Sequence, residues 1–196
     1  LNYAFAEHST EYWNEVRQKF FAALEEAGAV IVAPSNSVEK NYRQLFPALA
    51  NVPIKIVPHG DGSSDPMPVS LDARIPGRSL RVLVLGAMNK AKGDKLALEV
   101  LERTHEFTEF HFIGCGNWWA SKYLPAAKVI STYERRNLPK LIERIRPDIA
   151  LLPSVVPETY SFTLSECFKH TIPPVATRSG SFSERIQDRV TGFLVD

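Results

Sequence analysis

The chain has 196 residues, 44% hydrophobic and 23% charged, an ordinary balance for a globular protein and a length that suits one well-buried domain with room for an appendage. Its 23 basic and 22 acidic residues leave a formal net charge of +1, which excludes a global electrostatic pull toward nucleic acid or an anionic membrane. No apolar run approaches the roughly 20 residues needed to span a bilayer.

The opening LNYAFAEH lacks Met and any signal-peptide pattern, so the chain is expected to be cut from a longer one. From Ser9 to Gly28, apolar residues at helical spacing and a glycine stop predict an amphipathic helix. AVIVAPS follows as a buried strand, SVEKNYRQLF as a short helix capped by Ser37, and IKIVPHG as a second strand. Residues 61–78, rich in Pro, Gly, Ser and Asp, form the linker candidate.

Beyond the linker the rhythm is regular. The apolar strand LRVLVLG leads to helix KGDKLALEVLERTH, strand EFHFIG, a Trp-containing stretch and strand KVIST. Helix NLPKLIERIR, strand DIALLPS, helix SFTLSECFKH, strand PPVATR, helix SFSERIQDR and strand GFLVD complete the series. Strands apolar throughout, alternating with helices, indicate an α/β fold whose parallel sheet is covered on both faces. Six of them in this order suit a doubly wound Rossmann-like sheet, with the first and fourth side by side where the winding reverses. The loop after Gly86 and the loop after Ser154 are therefore expected to share one crevice at the strands' carboxyl ends.

Each loop carries chemistry. Lys92 and Gly93 precede a helix, with Lys90 and Lys95 nearby, and an ammonium beside a helix N-terminus favours phosphate. Neither GxxxxGK[ST] nor GxGxxG is present, and the competing reading of these lysines is solvated surface charge. In PETYSFTLSE, two glutamates with no basic residue between them flank an otherwise apolar and hydroxyl-bearing segment. Ser161, Phe162 and Thr163 are expected to form a first helical turn whose free N–H groups suit a diphosphate. Glu166, a turn further on, suits a vicinal diol, and Glu158, before the helix, the other end of the same ligand. The competing readings are a helix-dipole contact for Glu158 and a solvent-facing helix position for Glu166.

Taken together, PSVVPETYSFTLSECFKHTIPPVATRSGSFSERIQDRVTGFLVD resembles the C-terminal half of retaining glycosyltransferases of the GT-B fold. That family carries two glutamates separated by seven residues, the spacing of Glu158 and Glu166. LRVLVLGAMNKAKG and FHFIGCG are similar to the family's first glycine loop and second strand end, and AVIVAPSNSVEK through KIVPHG to its passage between domains. The resemblance implies a nucleoside-diphosphate-sugar donor site formed by Gly86, Ala87, Lys92, Tyr133, Ser161, Phe162, Thr163 and Glu166. In it Lys92 and the backbone N–H groups of Ser161 to Thr163 hold the diphosphate, Glu166 the ribose, and the stretch around Thr132 and Tyr133 the base. Glu158 is the implied catalytic residue, touching the transferred sugar; no metal or other cofactor is implied.

The implied reaction is retaining transfer to a saccharide or lipid-linked hydroxyl acceptor in bacterial polysaccharide or glycoconjugate synthesis. It would run in the cytoplasm or at the inner membrane face. Residues 1–60 are read as the trailing part of an N-terminal acceptor domain and 79–196 as the donor domain, so the chain alone is expected to be inactive. Three departures stand out: Ala87 where the family has Arg, Thr159 and Ser161 where it has Gly, and one glycine rather than two at Ser179 to Ser181. They keep open a non-catalytic sugar-nucleotide-binding module, or a nucleotide-sugar epimerase of GT-B fold. His8, His59, His105, His111 and His170 lack metal spacing, Cys115 and Cys167 lack metal or redox spacing, and Trp118 and Trp119 read as core or interface.

Overall fold

The structure is a computed structural model that describes residues 8–60, 77–116 and 127–196. The chain divides into two units, Leu1–Pro58 and His59–Asp196.

In the first unit, α1 (Thr10–Glu26) starts at Ser9, whose hydroxyl accepts from Tyr12 N at 3.3 Å. No residue of α1 is buried, and Tyr12, Trp13, Val16 and Phe20 are exposed. Strand β1 (Ile31–Ala33), helix α2 (Asn36–Leu45) and strand β2 (Ile54–Ile56) follow, the two strands pairing in parallel. The cap of α2 is Ser35, not the expected Ser37. Ser35 holds the extended backbone a cap needs and its Oγ accepts from Val38 N at 3.3 Å, whereas Ser37 already lies inside the helix.

In the second unit, β3 (Leu80–Leu85), α3 (Asp94–Thr104), β4 (Thr108–Ile113) and β5 (Ala127–Ile130) form the first half. The second half is α4 (Leu138–Ile145), β6 (Ile149–Leu152), α5 (Phe162–Lys169), β7 (Pro174–Thr177), α6 (Ser181–Arg185) and β8 (Phe193–Val195). The six strands are all parallel in the order β5-β4-β3-β6-β7-β8, the expected doubly wound sheet. Alternate residues of β3 serve opposite faces, which explains its uninterrupted apolar run. Val82 and Val84 pack with Ala97 and Leu101 of α3, and Leu83 and Leu85 pack with Leu138 and Ile142 of α4 and Leu164 and Phe168 of α5.

The winding reverses between β3 and β6, registered Val82 to Ile149 and Leu83 to Ala150. Asp148 pins this junction from below, accepting from Arg81 N at 2.7 Å and from the Arg78 guanidinium. Helix α6 ends at Arg185, earlier than SFSERIQDR implies, because Ile186 turns extended and Gln187 to Thr191 close a turn, with Gln187 N donating to Thr191 Oγ1 at 2.9 Å. Most of the linker candidate (61–76), and Trp118 and Trp119, lie outside the described residues.

Candidate functional site

The carboxyl ends of β3 and β6 deliver the two loops to one place. After β3, Asn89 closes a turn by accepting from Lys92 N on its Oδ1 at 3.0 Å and from Asp94 N on its carbonyl at 3.1 Å. Gly93, at φ 71°, then passes so close to the second loop that a Cβ there would stand 1.7 Å from the Pro153 carbonyl oxygen. Val155 N donates to Ala91 O at 3.1 Å, and the Thr163 methyl lies over Gly86.

These contacts bring Lys92 to Glu158. Glu158 Oε1 accepts from Lys92 Nζ at 2.5 Å and lies 2.9 Å from the Ser154 hydroxyl. The Glu158 side chain is 12% exposed and that of Lys92 44%, so the acid is sheltered while its partner is half-exposed. The backbone of Glu158 is held from behind by the loop after β7. Ser181 N donates to Glu158 O at 2.8 Å, and a Cβ on Gly180 would lie 2.5 Å from both Glu158 N and O. Gly86, Ala87, Lys92, Ser154, Glu158 and Thr163 line one open cavity of ≈ 90 Å³.

Ser161, Phe162 and Glu166 do not line that cavity; they belong to the start and body of α5 beside it. Ser161 is the cap, its Oγ accepting from Leu164 N at 3.3 Å, with a backbone at φ 68° and ψ 91° that side-chain-bearing residues rarely adopt. With Leu164 N taken by the cap, Phe162 and Thr163 carry the first-turn N–H groups that an α-helix leaves without an acceptor of its own, the kind of end at which anions bind. Phe162, the first helical residue, is half-exposed and stacks on the His59 ring at 5.2 Å between centroids.

Glu166 is buried, which removes the reading of it as a solvated helix charge. Its Oε1 accepts from Arg135 Nε at 2.9 Å and Nη2 at 2.7 Å, and its Oε2 lies 3.8 Å from His170 Nε2, beyond hydrogen-bond reach. Arg135 follows β5, close after Tyr133. The Tyr133 ring stands where a Cβ on Gly114 would be, 2.7 Å from Cε1. Burial first, and the Glu166 charge second, push the Tyr133 phenol up from its ordinary range.

The family described as "Glycosyl transferases group 1" matches residues 72–196, more than half of the chain. The chain belongs to this group 1 family. No curated protein matches it. Among solved structures, a glycosyltransferase from Rickettsia africae superposes with TM-score 0.66 at 15% identity, over 98% of this chain and 54% of that one. HepE from Anabaena, in complex with UDP-glucose, gives 0.64 at 16%, over 95% and 55%. Sucrose-phosphate synthase from Thermosynechococcus elongatus gives 0.63 at 14%, over 85% and 45%. The chain thus spans about half the length of these three, and the likeness establishes its fold, the C-terminal domain of GT-B glycosyltransferases.

Within this group 1 domain, sequence reasoning missed Arg135, Ser154, Gly180 as a contact to Glu158, and Arg185. Arg185 Nη1 donates to Tyr160 O at 2.6 Å and Ser161 O at 3.0 Å, and Nη2 to Ser165 Oγ at 2.8 Å. Its partners lie 20 to 25 residues upstream, a separation at which no local pattern signals a contact. The double arginine before NLP was a visible signal for Arg135, but only the fold supplies its acceptor.

Proposed function

We propose that the second unit binds the nucleoside-diphosphate-sugar donor of a retaining glycosyltransferase. The observation that carries this reading is the Lys92–Glu158 pair, which lines one cavity together with Thr163 of the first turn of α5. A diphosphate between the Lys92 ammonium and the N–H groups of that turn meets positive charge on two sides, the arrangement that stabilises a departing diphosphate in glycosyl transfer. Lys92 leaves Glu158 for the phosphates as donor enters, and Glu158 then accepts from the sugar hydroxyls. Glu166 takes the ribose in competition with Arg135, and Tyr133 with its neighbours flanks the base. The charges needed come from side chains and amides, so the reading calls for no metal or other cofactor.

The acceptor, a saccharide or lipid-linked hydroxyl in bacterial polysaccharide or glycoconjugate synthesis, would meet the donor across a cleft completed by an N-terminal acceptor domain. Residues 1–60 supply only its trailing part. The work would be done in the cytoplasm or at the inner membrane face. Ala87 favours one second reading, a binding module without turnover, because a positive residue is absent at the lip of the cavity.

A thermal-shift screen against UDP, GDP, ADP, dTDP and CMP tests donor binding, UDP first because UDP-glucose is bound in the HepE structure. At a ligand concentration of 100 times Kd, binding adds about 2.7 kcal/mol, or roughly 5–10 °C for a chain of this size. No shift with any nucleotide would refute the reading. Radiolabelled sugar nucleotide with this chain alone is expected to show slow hydrolysis at most, and multiple turnovers onto an added acceptor would contradict the role given to a separate acceptor domain.

A further inference from the structure

The cap of α5 rests on an element that plays no direct part in the proposed chemistry. Ser161 sits at φ 68° and ψ 91°, outside the basins natural to a residue with a Cβ. Such a backbone persists only where its surroundings enforce it. Here the Arg185 guanidinium bonds to the carbonyls on both sides of the Tyr160–Ser161 junction and to the Ser165 hydroxyl one turn into the helix. Its Cζ also lies over the Tyr160 ring, 4.0 Å from the centroid. One planar group thereby fixes the entry of the chain into α5 and the pitch of its first turn. A guanidinium suits this because its donors are fixed in one plane while the ring supports that plane; an ammonium offers neither.

We propose that Arg185 is a positioning residue of the donor site, holding Ser161 in its left-handed conformation so that the first-turn N–H groups of α5 converge on the donor diphosphate. This rests on the reading of α5 as the phosphate end of the site. Arg185 touches no donor group itself; it acts through Ser161. The consequence is selective: its loss weakens recognition of the diphosphate and leaves recognition of base and ribose intact. Glycine adopts a positive φ without enforcement, so Ser161→Gly makes Arg185 dispensable.

The test is calorimetric titration with UDP, GDP and ADP, each beside its parent nucleoside, on the unsubstituted chain, Arg185→Met, Arg185→Lys, Ser161→Gly and Arg185→Met/Ser161→Gly. For the nucleotide bound most tightly, Arg185→Met should weaken the diphosphate at least tenfold and the nucleoside less than twofold, with Arg185→Lys in between. In the Ser161→Gly background, the same Arg185→Met change should cost less than threefold. Should Arg185→Met not fold, Arg185→Lys with and without Ser161→Gly carries the same comparison. Equal losses for diphosphate and nucleoside, or a cost undiminished by Ser161→Gly, would overturn the inference while leaving the donor site standing. Failure of the unsubstituted chain to bind any nucleoside diphosphate removes the site and the inference with it.

Discussion

The loop after β3 and the loop after β6 close over one cavity, yet different forces shape them. The first is stitched by its own residues: Lys92 N to Asn89 Oδ1, Gly93 N to Lys90 O and Asp94 N to Asn89 O. The second has bonds of its own from the Ser154 hydroxyl, but it is also held from elsewhere, through Thr177 Oγ1 on Ser154 O at 2.5 Å, Ser181 N on Glu158 O and Arg185 on the carbonyls of Tyr160 and Ser161. The first loop presents a long, half-exposed cation paired with Glu158. The second, braced by β7 and α6, presents the sheltered Glu158 carboxylate, an arrangement that suits the preorganised sugar site proposed above. The contrast is an exposed cation against a braced, sheltered carboxylate.

The sharpest way to break that comparison is at the point where the loops touch. Gly93→Ala places a Cβ 1.7 Å from the Pro153 carbonyl oxygen and strains a φ of 71°. It is expected to cost about 3 kcal/mol or more, a fall in Tm of roughly 6–12 °C, read by thermal unfolding. An unchanged Tm would show that the loops are not apposed. Gly180→Ala, whose Cβ would meet the Glu158 backbone at 2.5 Å, acts on the second loop alone. A cost of about 1–3 kcal/mol is expected, with sugar-nucleotide affinity falling more than plain-diphosphate affinity in parallel titrations.

A smaller effect lies in pH. Burial is the main cause that holds the imidazoles of His111 and His170 below the ordinary 6.5. Their neutral forms are the ones the fold accepts, so the unfolded chain binds more protons as the medium is acidified. The stability they contribute is complete above 6.5 and is lost as pH falls through the lowered values. Unfolding followed by circular dichroism between pH 7 and pH 5 should show Tm declining, and the decline should flatten in His170→Gln. A profile unaltered by that change would mean His170 titrates freely.

How much of this was legible in the sequence follows the same division. Strand order and the adjoining loops could be read because apolar runs and glycines encode them locally, whereas Ser161, expected inside the first turn of α5, is its cap because its backbone at φ 68° and ψ 91° is not helical. Ser35 displaced Ser37 as the α2 cap because two serines two residues apart look alike until backbone angles choose between them. Arg185 and Arg135 were not legible. Their acceptors, the carbonyls before α5 and the Glu166 carboxylate, become neighbours only once β5, β6 and β7 have been brought together in the sheet. The burial of Glu166 was likewise invisible, since a glutamate in a short helix looks solvated until the facing loop is in place.

The central claim is that one cradle separates the nucleotide from the sugar, with Glu166 serving the first and Glu158 the second. A charge-assisted hydrogen bond contributes about 1.5–3 kcal/mol, roughly ten- to a hundredfold in affinity. Calorimetric titration of Glu158→Ala and Glu166→Ala with a nucleoside diphosphate and its sugar conjugate measures both roles at once. Glu166→Ala is expected to weaken both ligands by similar factors, and Glu158→Ala to weaken the sugar nucleotide while leaving the plain diphosphate nearly untouched. Equal losses for the two ligands in Glu158→Ala, or no change in either variant, would contradict it.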